Sequence, residues 1–380
     1  MKIIFAFLAL LLTLGGHAQD ANRRTQDANG RTRDANFIAP PYLQIGRTPS
    51  PGSLDLLWQT KDAPGEWKVE WKSATGGKWQ TLPPATVTRV APAGLAPRLL
   101  YKTSFTGLTP GALFDYRVRR DGRIIFTAAA HALKAADQSF RLIVSGDIGA
   151  ATPDAKLLAQ QAWLAKPDLF VIPGDIIYEN GRVSEYDTNF WPVYNADSST
   201  PSGAPLMRSI AFVGAPGNHD LDNRSLDQFP DGLAYFYFWD QPLNGPEGRE
   251  GNAFVPPLKA SDSNRAAFIR AAGDAYPRMA NYSFDYGNTH WTVIDSDPYV
   301  DWTDKGLCDW VAKDLAAATQ ATWRFVVFHH PGFNSSREHY EQQQMRLLSP
   351  IFEKGSVDIV FCGHVHNYQR SYPLTFLPDR

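Results

Sequence analysis

The stretch VDIVFCGHVH, Val357 to His366, places two imidazoles directly after an apolar stretch near the end of the chain. The residues from Val357 to Phe361 predict a buried β-strand. In α/β folds, ligands gather beyond the carboxyl ends of strands, where His364 and His366 would lie. Two histidines at such a position indicate metal ligands, provided that other strands bring further donor groups to the same edge.

Four other apolar stretches run into polar clusters in the same way. They are FRLIVSGD, LFVIPGD, IAFVGAPGNHD and WRFVVFHHP, and their polar clusters contain Asp147, Asp175, Asn218 and His329. Helical spacing over residues 153–165, 304–318 and 338–355 predicts helices among these strands. Strands that alternate with helices indicate an α/β layered fold from residue 137 onward.

The polar clusters share the chemistry of metal ligands. They offer carboxylates, an amide oxygen, a phenol and imidazoles: Asp147, Asp175, Asn218, Tyr178, His329, His364 and His366. Taken singly, such an aspartate suggests a helix cap and such a histidine an ordinary polar residue. Together they exceed the four ligands of one zinc ion. They suit two ions roughly 3.5–4 Å apart that share a bridging anion, for which Asp175 and a hydroxide are the candidates.

Glycines stand beside these donors in four of the clusters. They are Gly146, Gly174, Gly217 and Gly363. Because glycine has no Cβ, we expect each to let the backbone turn sharply and aim the neighbouring side chain into a shared cavity.

The order and spacing of the motifs resemble those of the calcineurin-like metallophosphoesterases, and more narrowly those of the purple acid phosphatases. The resemblance extends from Asp147 to Arg370. Most members of the superfamily carry Asp-x-His in the first motif, whereas this chain has Gly149 at the histidine position. Tyr178, three positions after Asp175, would supply a phenolate, a hard donor that favours a trivalent ion. The alternative is that Tyr178 packs as an ordinary aromatic residue at a strand end.

This resemblance implies two metal sites. The first ion would be Fe(III), held by Asp147, Asp175, Tyr178 and His366. The second ion, Fe, Zn or Mn, would be held by Asp175, Asn218, His329 and His364. His329 is preferred to His330 as a ligand because it fits the family spacing V-x-x-H. In an extended stretch, His364 and His366 would face the cavity together while Val365 points into the core.

The resemblance also implies hydrolysis of a small phosphate monoester by a metal-bound hydroxide that attacks phosphorus in line. His219 is the first candidate to protonate the leaving group, and His339 is the second. An imidazolium beside two cations needs a carboxylate or an acidic medium, which predicts an acidic pH optimum. Asp220 either orients His219 or caps a helix. Arg370 either pairs with a carboxylate or approaches the substrate.

The N-terminal part of the chain predicts export and a separate β domain. Residues 1–18 have the pattern of a secretory signal peptide, and residues 19–36 form a polar repeat linker. Residues 37–136 contain short strand-like stretches separated by turn formers. They resemble a fibronectin type III sandwich with Tyr116 at its tyrosine corner. Trp58, Trp67, Trp71 and Trp79 are expected to pack in this domain, with a carbohydrate-binding or surface-binding face as the alternative.

The resemblance as a whole implies an N-terminal all-β sandwich followed, over residues 137–380, by a four-layer α/β domain with two sheets flanked by helices. Members of the group usually continue beyond the position of Arg380, so C-terminal strands of the second sheet are expected to be missing. Residues 221–279 are expected to form a loop or cap over the cavity. His290 lies within a strand pattern and is interpreted as structural.

The composition limits the function classes. The formal net charge is -2, which gives no basic footprint for nucleic acid. No segment after the signal is apolar enough to span a membrane. Cys308 and Cys362 are expected to be free thiols.

Two alternatives to a phosphomonoesterase stay open: a phosphodiesterase or nucleotide pyrophosphatase with the same metals, and an inactive exported binding protein.

Overall fold

The computed structural model describes residues 37–378. The predicted signal peptide and linker, residues 1–36, lie outside this range. Among the described residues, none of the helices is both long and apolar enough to cross a bilayer. Cys308 and Cys362 are free thiols, as predicted.

The first eight strands form two sheets. The strands are β1 Phe37–Gln44, β2 Leu54–Lys61, β3 Trp67–Ser73, β4 Gln80–Thr81, β5 Thr86–Val90, β6 Arg98–Phe105, β7 Leu113–Arg120 and β8 Arg123–His131. One sheet has the order β4-β3-β7-β8, and the strands β5-β6-β2-β1 belong to a second. Trp58 and Trp71 are buried in the core between them, and Trp58 stacks on Tyr101 with ring centroids 5.0 Å apart. This β-rich region is consistent with the expected fibronectin type III-like domain.

The remaining strands alternate with helices, as the sequence predicts. The strands are β9 Leu142–Val144, β10 Leu169–Pro173, β11 Ala211–Ala215, β12 Tyr282–Tyr286, β13 Thr289–Val293, β14 Trp323–Val327 and β15 Ile359–Phe361. The helices are α1 Pro153–Leu164, α2 Val183–Glu185, α3 Trp191–Tyr194, α4 Asn218–Leu221, α5 Tyr235–Phe238, α6 Asp262–Ala272, α7 Ala275–Arg278, α8 Lys305–Ala317 and α9 Ser349–Lys354. A π-helical turn, Tyr186–Phe190, and a 3-10 turn, Gln344–Leu348, complete the set.

The two parts of the chain share one sheet. Strand β1 pairs in parallel with β11 through Gln44 and Phe212, which gives a seven-stranded sheet of order β5-β6-β2-β1-β11-β10-β9. The phenol of Tyr116 donates to the carbonyl oxygen of Arg208 at 2.9 Å. The expectation that Tyr116 ties a turn of its own β domain is therefore wrong, because this phenol bonds the α/β part instead.

A four-stranded sheet, β12-β13-β14-β15, packs against the seven-stranded one. Alternate residues of β10 point to different cores. Val171 contacts a cluster that contains Trp291 and Phe325 of the second sheet, whereas Ile172 faces the cluster that includes helices α1 and α6. Strands β9, β10 and β11 are parallel, and so are β13, β14 and β15. Five of these strands precede predicted donors. The carboxyl ends of β9, β10 and β11 lie at one edge of the seven-stranded sheet, and those of β14 and β15 lie at one edge of the four-stranded sheet.

Two expectations about secondary structure are corrected. The predicted helix over 338–355 is helical only from Gln344 to Lys354, and residues 338–343 form turns and bends. The region 221–279, expected to form a loop or cap over the cavity, contains helices α5 and α6, and its residues Tyr235 to Trp239 are buried in the main core. Five consecutive large side chains lower the free energy of folding more when buried than when covering a polar cavity.

His290 is a buried structural residue, as the sequence analysis proposes. Its side chain bonds Asp285 through Nδ1 at 2.8 Å and Asp314 through Nε2 at 3.0 Å. Burial lowers the pKa of His290, but the two carboxylates outweigh burial and raise its pKa to about 9. The charged imidazole therefore stabilises the fold.

We predict that the stability contributed by His290 is fully present below about pH 6.5 and is lost as the pH rises through about 9, because the folded-state pKa is the higher one. His290→Gln should remove about 1–3 kcal/mol of pH-dependent stability. The measurement is the free energy of urea unfolding at pH 6 and pH 10, with His131→Gln as the control. An unchanged pH dependence in His290→Gln would contradict this role.

Candidate metal centre

The five strand ends bring all seven predicted donor side chains into one cluster. Asp147 follows β9, Asp175 and Tyr178 follow β10, and Asn218 follows β11. His329 follows β14 of the second sheet, and His364 and His366 follow β15. Ligand atoms of Asp147, Asp175 and His329 lie within 4.8 Å of one another. The two sheets thus contribute to a single group of donors.

His329 occupies the middle of the cluster. It is fully buried, and its Nδ1 lies 3.0 Å from the carbonyl oxygen of Pro173 at the end of β10. A carbonyl oxygen only accepts, so Nδ1 carries a proton and Nε2 faces the cluster. Around Nε2 lie Asn218 Oδ1 at 3.1 Å, Asp175 Oδ2 at 3.2 Å and His364 Nδ1 at 3.2 Å.

His364 also presents a lone pair to this point. Its Nε2 lies 2.7 Å from Gln342 Oε1, so Nε2 donates and Nδ1 is left as the acceptor that faces His329. The backbone N–H of His364 bonds both carboxylate oxygens of Asp147, at 3.0 and 2.9 Å. An amide oxygen, a carboxylate oxygen and two imidazole nitrogens thus converge. Acceptors so close together repel one another unless a cation lies between them, which fits a metal ion.

A second group of donors adjoins the first. The hydroxyl of Tyr178 lies 3.2 Å from Asp147 Oδ1 and 3.1 Å from His366 Nε2. His366 Nε2 is in turn 3.4 Å from Asp147 Oδ1. The Tyr178 side chain is buried, whereas His366 is 69% exposed. Carboxylate, phenol and imidazole donors at these distances fit a second cation beside the first.

The pKa shifts of the residues in the cluster show that it favours a bound positive charge. Burial raises the pKa of Asp175, but His329 outweighs burial and holds this pKa at about 2. Burial lowers the pKa of His329, but Asp175 and Asp147 raise it to about 9. The cluster therefore takes up a proton on His329, which a metal ion would displace on binding. Burial and the charges of Asp175 and Asp147 also raise the pKa of Tyr178.

Three of the donors have an unusual backbone conformation. The φ angles are 58° for Asp147, 49° for Asp175 and 69° for His364. Residues other than glycine rarely adopt such values, which cost about 1–3 kcal/mol each. The stretch around His364 is a tight turn, with Val365 N–H bonding the Gly363 carbonyl at 2.8 Å. The expectation of an extended stretch with Val365 in the core is therefore wrong, and His364 and His366 enter different donor groups.

The glycines next to the donors mainly provide space. Only Gly174 of the four has a left-handed φ, at 82°. A Cβ on Gly363 would lie 2.5 Å from the Pro173 carbonyl oxygen and 2.8 Å from Asp147 Oδ2. A Cβ on Gly217 would lie 2.3 Å from the backbone nitrogen of Asp175. The expectation that all four glycines turn the chain is corrected, since Gly217 and Gly363 are required by the close packing of the donor loops.

The absence of the Asp-x-His histidine has a steric reason. A Cβ on Gly149 would lie 2.1 Å from the carbonyl oxygen of Ile176 and 2.4 Å from the Cα of Ile177. The loop after β10 thus lies directly on Gly149. This close approach places Tyr178 beside Asp147. Glycine at position 149 therefore allows the loop that carries Tyr178 to reach the first donor.

The two candidate acid histidines border opposite parts of the cluster. The ring of His219 lies 4.4 Å from that of Tyr178, and the ring of His339 lies 4.3 Å from that of His364. Asp220 does not contact His219. Its carboxylate accepts hydrogen bonds from the backbone N–H groups of Ile176, Ile177 and Gly217 at 3.0, 3.3 and 2.9 Å. The orienting role suggested for Asp220 is therefore wrong, and the capping alternative is correct.

Several residues that support the donors were not found from the sequence. Ser296 accepts the backbone N–H of His329, Gln342 orients His364, and the Pro173 carbonyl orients His329. None of them has a spacing that marks it.

Arg370 is exposed, and within residues 37–378 it makes no ion pair.

The chain combines a two-sheet α/β fold with adjoining groups of carboxylate, phenol, amide and imidazole donors at its strand ends. Residues 140–368 match the calcineurin-like phosphoesterase family, and the chain belongs to that family. The family uses a dinuclear metal site.

Curated relatives are purple acid phosphatases. "Probable inactive purple acid phosphatase 27" of Arabidopsis thaliana is 25% identical over 349 residues, which cover 80% of this chain and 51% of that protein. "Purple acid phosphatase 23" of the same plant is 33% identical over 249 residues, which cover 60% of this chain and 47% of that protein. The chain thus spans about half the length of these relatives. The solved "Structure of PhoD" has the same fold, with a TM-score of 0.52, 14% identity and coverage of 87% of this chain and 72% of that one.

We predict that Gly363→Ala lowers the metal content of the purified protein by about tenfold or more, because the added Cβ would push apart Pro173, Asp147 and His329. Elemental analysis by mass spectrometry after dialysis measures this change. Gly52→Ala is the matched control, since its Cβ would have an ordinary contact at 3.4 Å. Equal metal content in both variants would show that the space at Gly363 is not needed.

Proposed function

We propose that this protein is an exported binuclear-metal phosphatase that hydrolyses phosphate monoesters, with an acidic pH optimum. The observation that carries the proposal is the pair of adjoining donor groups, which meet at Asp147 and Asp175. The names of the purple acid phosphatase relatives support it. In this proposal, residues 37–136 are a fibronectin type III-like accessory domain ahead of a four-layer catalytic domain.

The proposed ligand sets follow the two donor groups. One ion is held by Asp147, Asp175, Tyr178 and His366, and the other by Asp175, Asn218, His329 and His364. Bound ions would activate a water molecule as the nucleophile and offset the negative charge of the phosphoryl group. Because a phenolate is a hard anionic donor, we propose Fe(III) at the Tyr178 site and Fe, Zn or Mn at the other.

His219 is the proposed donor of a proton to the leaving group. Its Nδ1 donates to the carbonyl oxygen of Glu179 at 2.8 Å, so Nε2 is the atom that gives up a proton when the ring is charged. Nε2 lies 4.0 Å from Asp175 Oδ2, at the edge of the donor cluster. The Glu179 carboxylate also lies close to this ring, 3.7 Å from Nδ1. His339, beside His364, is the second candidate.

We predict that the metal-loaded protein hydrolyses p-nitrophenyl phosphate much faster than bis(p-nitrophenyl) phosphate. Asp175→Asn should lower monoester turnover by about 10³-fold or more, because both ions lose a shared anion. Steady-state kinetics with both esters measure these rates. Preference for the diester would favour the phosphodiesterase alternative, and no turnover of either ester by protein that holds two metals would favour an inactive binding protein.

The same assay separates the acid histidines. His219→Asn should slow an alkyl phosphate by roughly 10²–10⁴-fold and p-nitrophenyl phosphate much less, since the nitrophenolate leaves without a proton. His339→Asn is the matched comparison. Equal slowing of both esters would remove the acid role from the substituted residue.

We predict that the purified protein has a visible charge-transfer band from the Fe(III)–Tyr178 pair, and that Tyr178→Phe removes it. Absorption spectra and metal analysis of the two proteins measure this effect. Tyr340→Phe is the control, since Tyr340 is 53% exposed and outside the cluster. A colourless protein that holds two zinc or manganese ions would exclude the iron assignment and keep the phosphatase one.

A further inference from the structure

His330 lies against the donor cluster without any assigned role. It follows His329, is 2% exposed, and has its ring centroid 4.3 Å from that of His364. Ring nitrogens of His329, His330 and His364 lie within 4.8 Å of one another. His330 is therefore close enough to act on whatever binds there, either as a third imidazole ligand or as a hydrogen-bond donor. The protonation of its two nitrogens decides between these roles.

Ser296 determines which nitrogen of His330 carries the proton. The buried Ser296 Oγ accepts the backbone N–H of His329 at 3.0 Å and that of His330 at 2.8 Å. A hydroxyl has two lone pairs and one proton, so Oγ can accept no further bond and must donate its proton. His330 Nδ1, at 3.1 Å, is the acceptor in reach. Nδ1 thus has no proton of its own.

Asp297 also lies near Nδ1 of His330, and a closer contact from its carboxylate would favour the opposite tautomer. Its Oδ1 lies 3.7 Å from His330 Nδ1, beyond hydrogen-bond distance. The Ser296 hydroxyl, at 3.1 Å, is within hydrogen-bond distance of Nδ1, so the bond from Ser296 determines the tautomer.

Neutral His330 must then carry its proton on Nε2. Within residues 37–378, Nε2 has no hydrogen-bond partner. We infer that His330 is a fixed N–H donor to a phosphoryl oxygen of the bound substrate or of product phosphate, and not a metal ligand. This inference rests on the proposed phosphatase function. Ser296 acts as the positioning residue, since it holds the ring and determines its tautomer.

The test compares two amides at position 330. The amide nitrogen of glutamine can take the place of Nε2, whereas that of asparagine reaches only the place of Nδ1. We expect His330→Gln and His330→Asn both to keep two metals per chain. His330→Gln should bind inorganic phosphate within about threefold of the wild-type Kd, whereas His330→Asn should bind it about tenfold or more weakly. Titration calorimetry with inorganic phosphate and metal analysis supply the two readouts.

A second pair of variants tests the tautomer without altering the ring. Ser296→Ala should weaken phosphate binding by about tenfold, because the proton can then move to Nδ1, whereas Ser296→Thr keeps the hydroxyl and should bind phosphate as the wild type does. If both His330 variants lost metal, or if both bound phosphate as the wild type does, the inference would be overturned but the proposed function would not. A wild-type protein that takes up neither metal nor phosphate would overturn the proposed function as well.

Discussion

The hydrogen bond from His329 Nδ1 to the Pro173 carbonyl connects the ends of the two sheets, and the rest of the centre depends on it. It holds the loop that follows β14 against the carboxyl end of β10. It also leaves Nε2 of His329 as the atom that faces Asp175, Asn218 and His364. Together with the bonds from the His364 N–H to the Asp147 carboxylate, it sets the position of the donors of one sheet relative to those of the other. A metal site needs such fixed orientation of its imidazoles.

The donor loops are held in strained conformations by buried hydrogen bonds. Asp147, Asp175 and His364 have left-handed backbone angles, which together cost several kcal/mol. The carboxylate of Asp220 offsets part of this cost by binding three backbone N–H groups of the loops after β10 and β11. The cluster of like acceptors is thus prepared before any cation binds.

The N-terminal strands are part of the same scaffold. Strand β1 extends the sheet that carries Asp147, Asp175 and Asn218. Arg98 of β6 forms a two-pronged ion pair with Asp187, at 2.8 and 2.7 Å, and Lys102 bonds Asp240. These contacts cross the sequence boundary predicted at residue 136. The β-rich region therefore directly supports the sheet that carries the candidate donors.

The sequence by itself determined the α/β order, most strand positions and the seven candidate donors that the fold brings together, because apolar periodicity and metal-ligand chemistry are local properties of residues. It could not show that Gly149 is packed on Ile176, that Asp220 holds backbone rather than His219, or that Ser296 and Gln342 select imidazole tautomers. Those contacts join residues far apart in the chain and carry no spacing signal. Only the tertiary structure decided them, because a hydrogen bond or a steric limit exists only once two distant segments have been brought within a few ångströms.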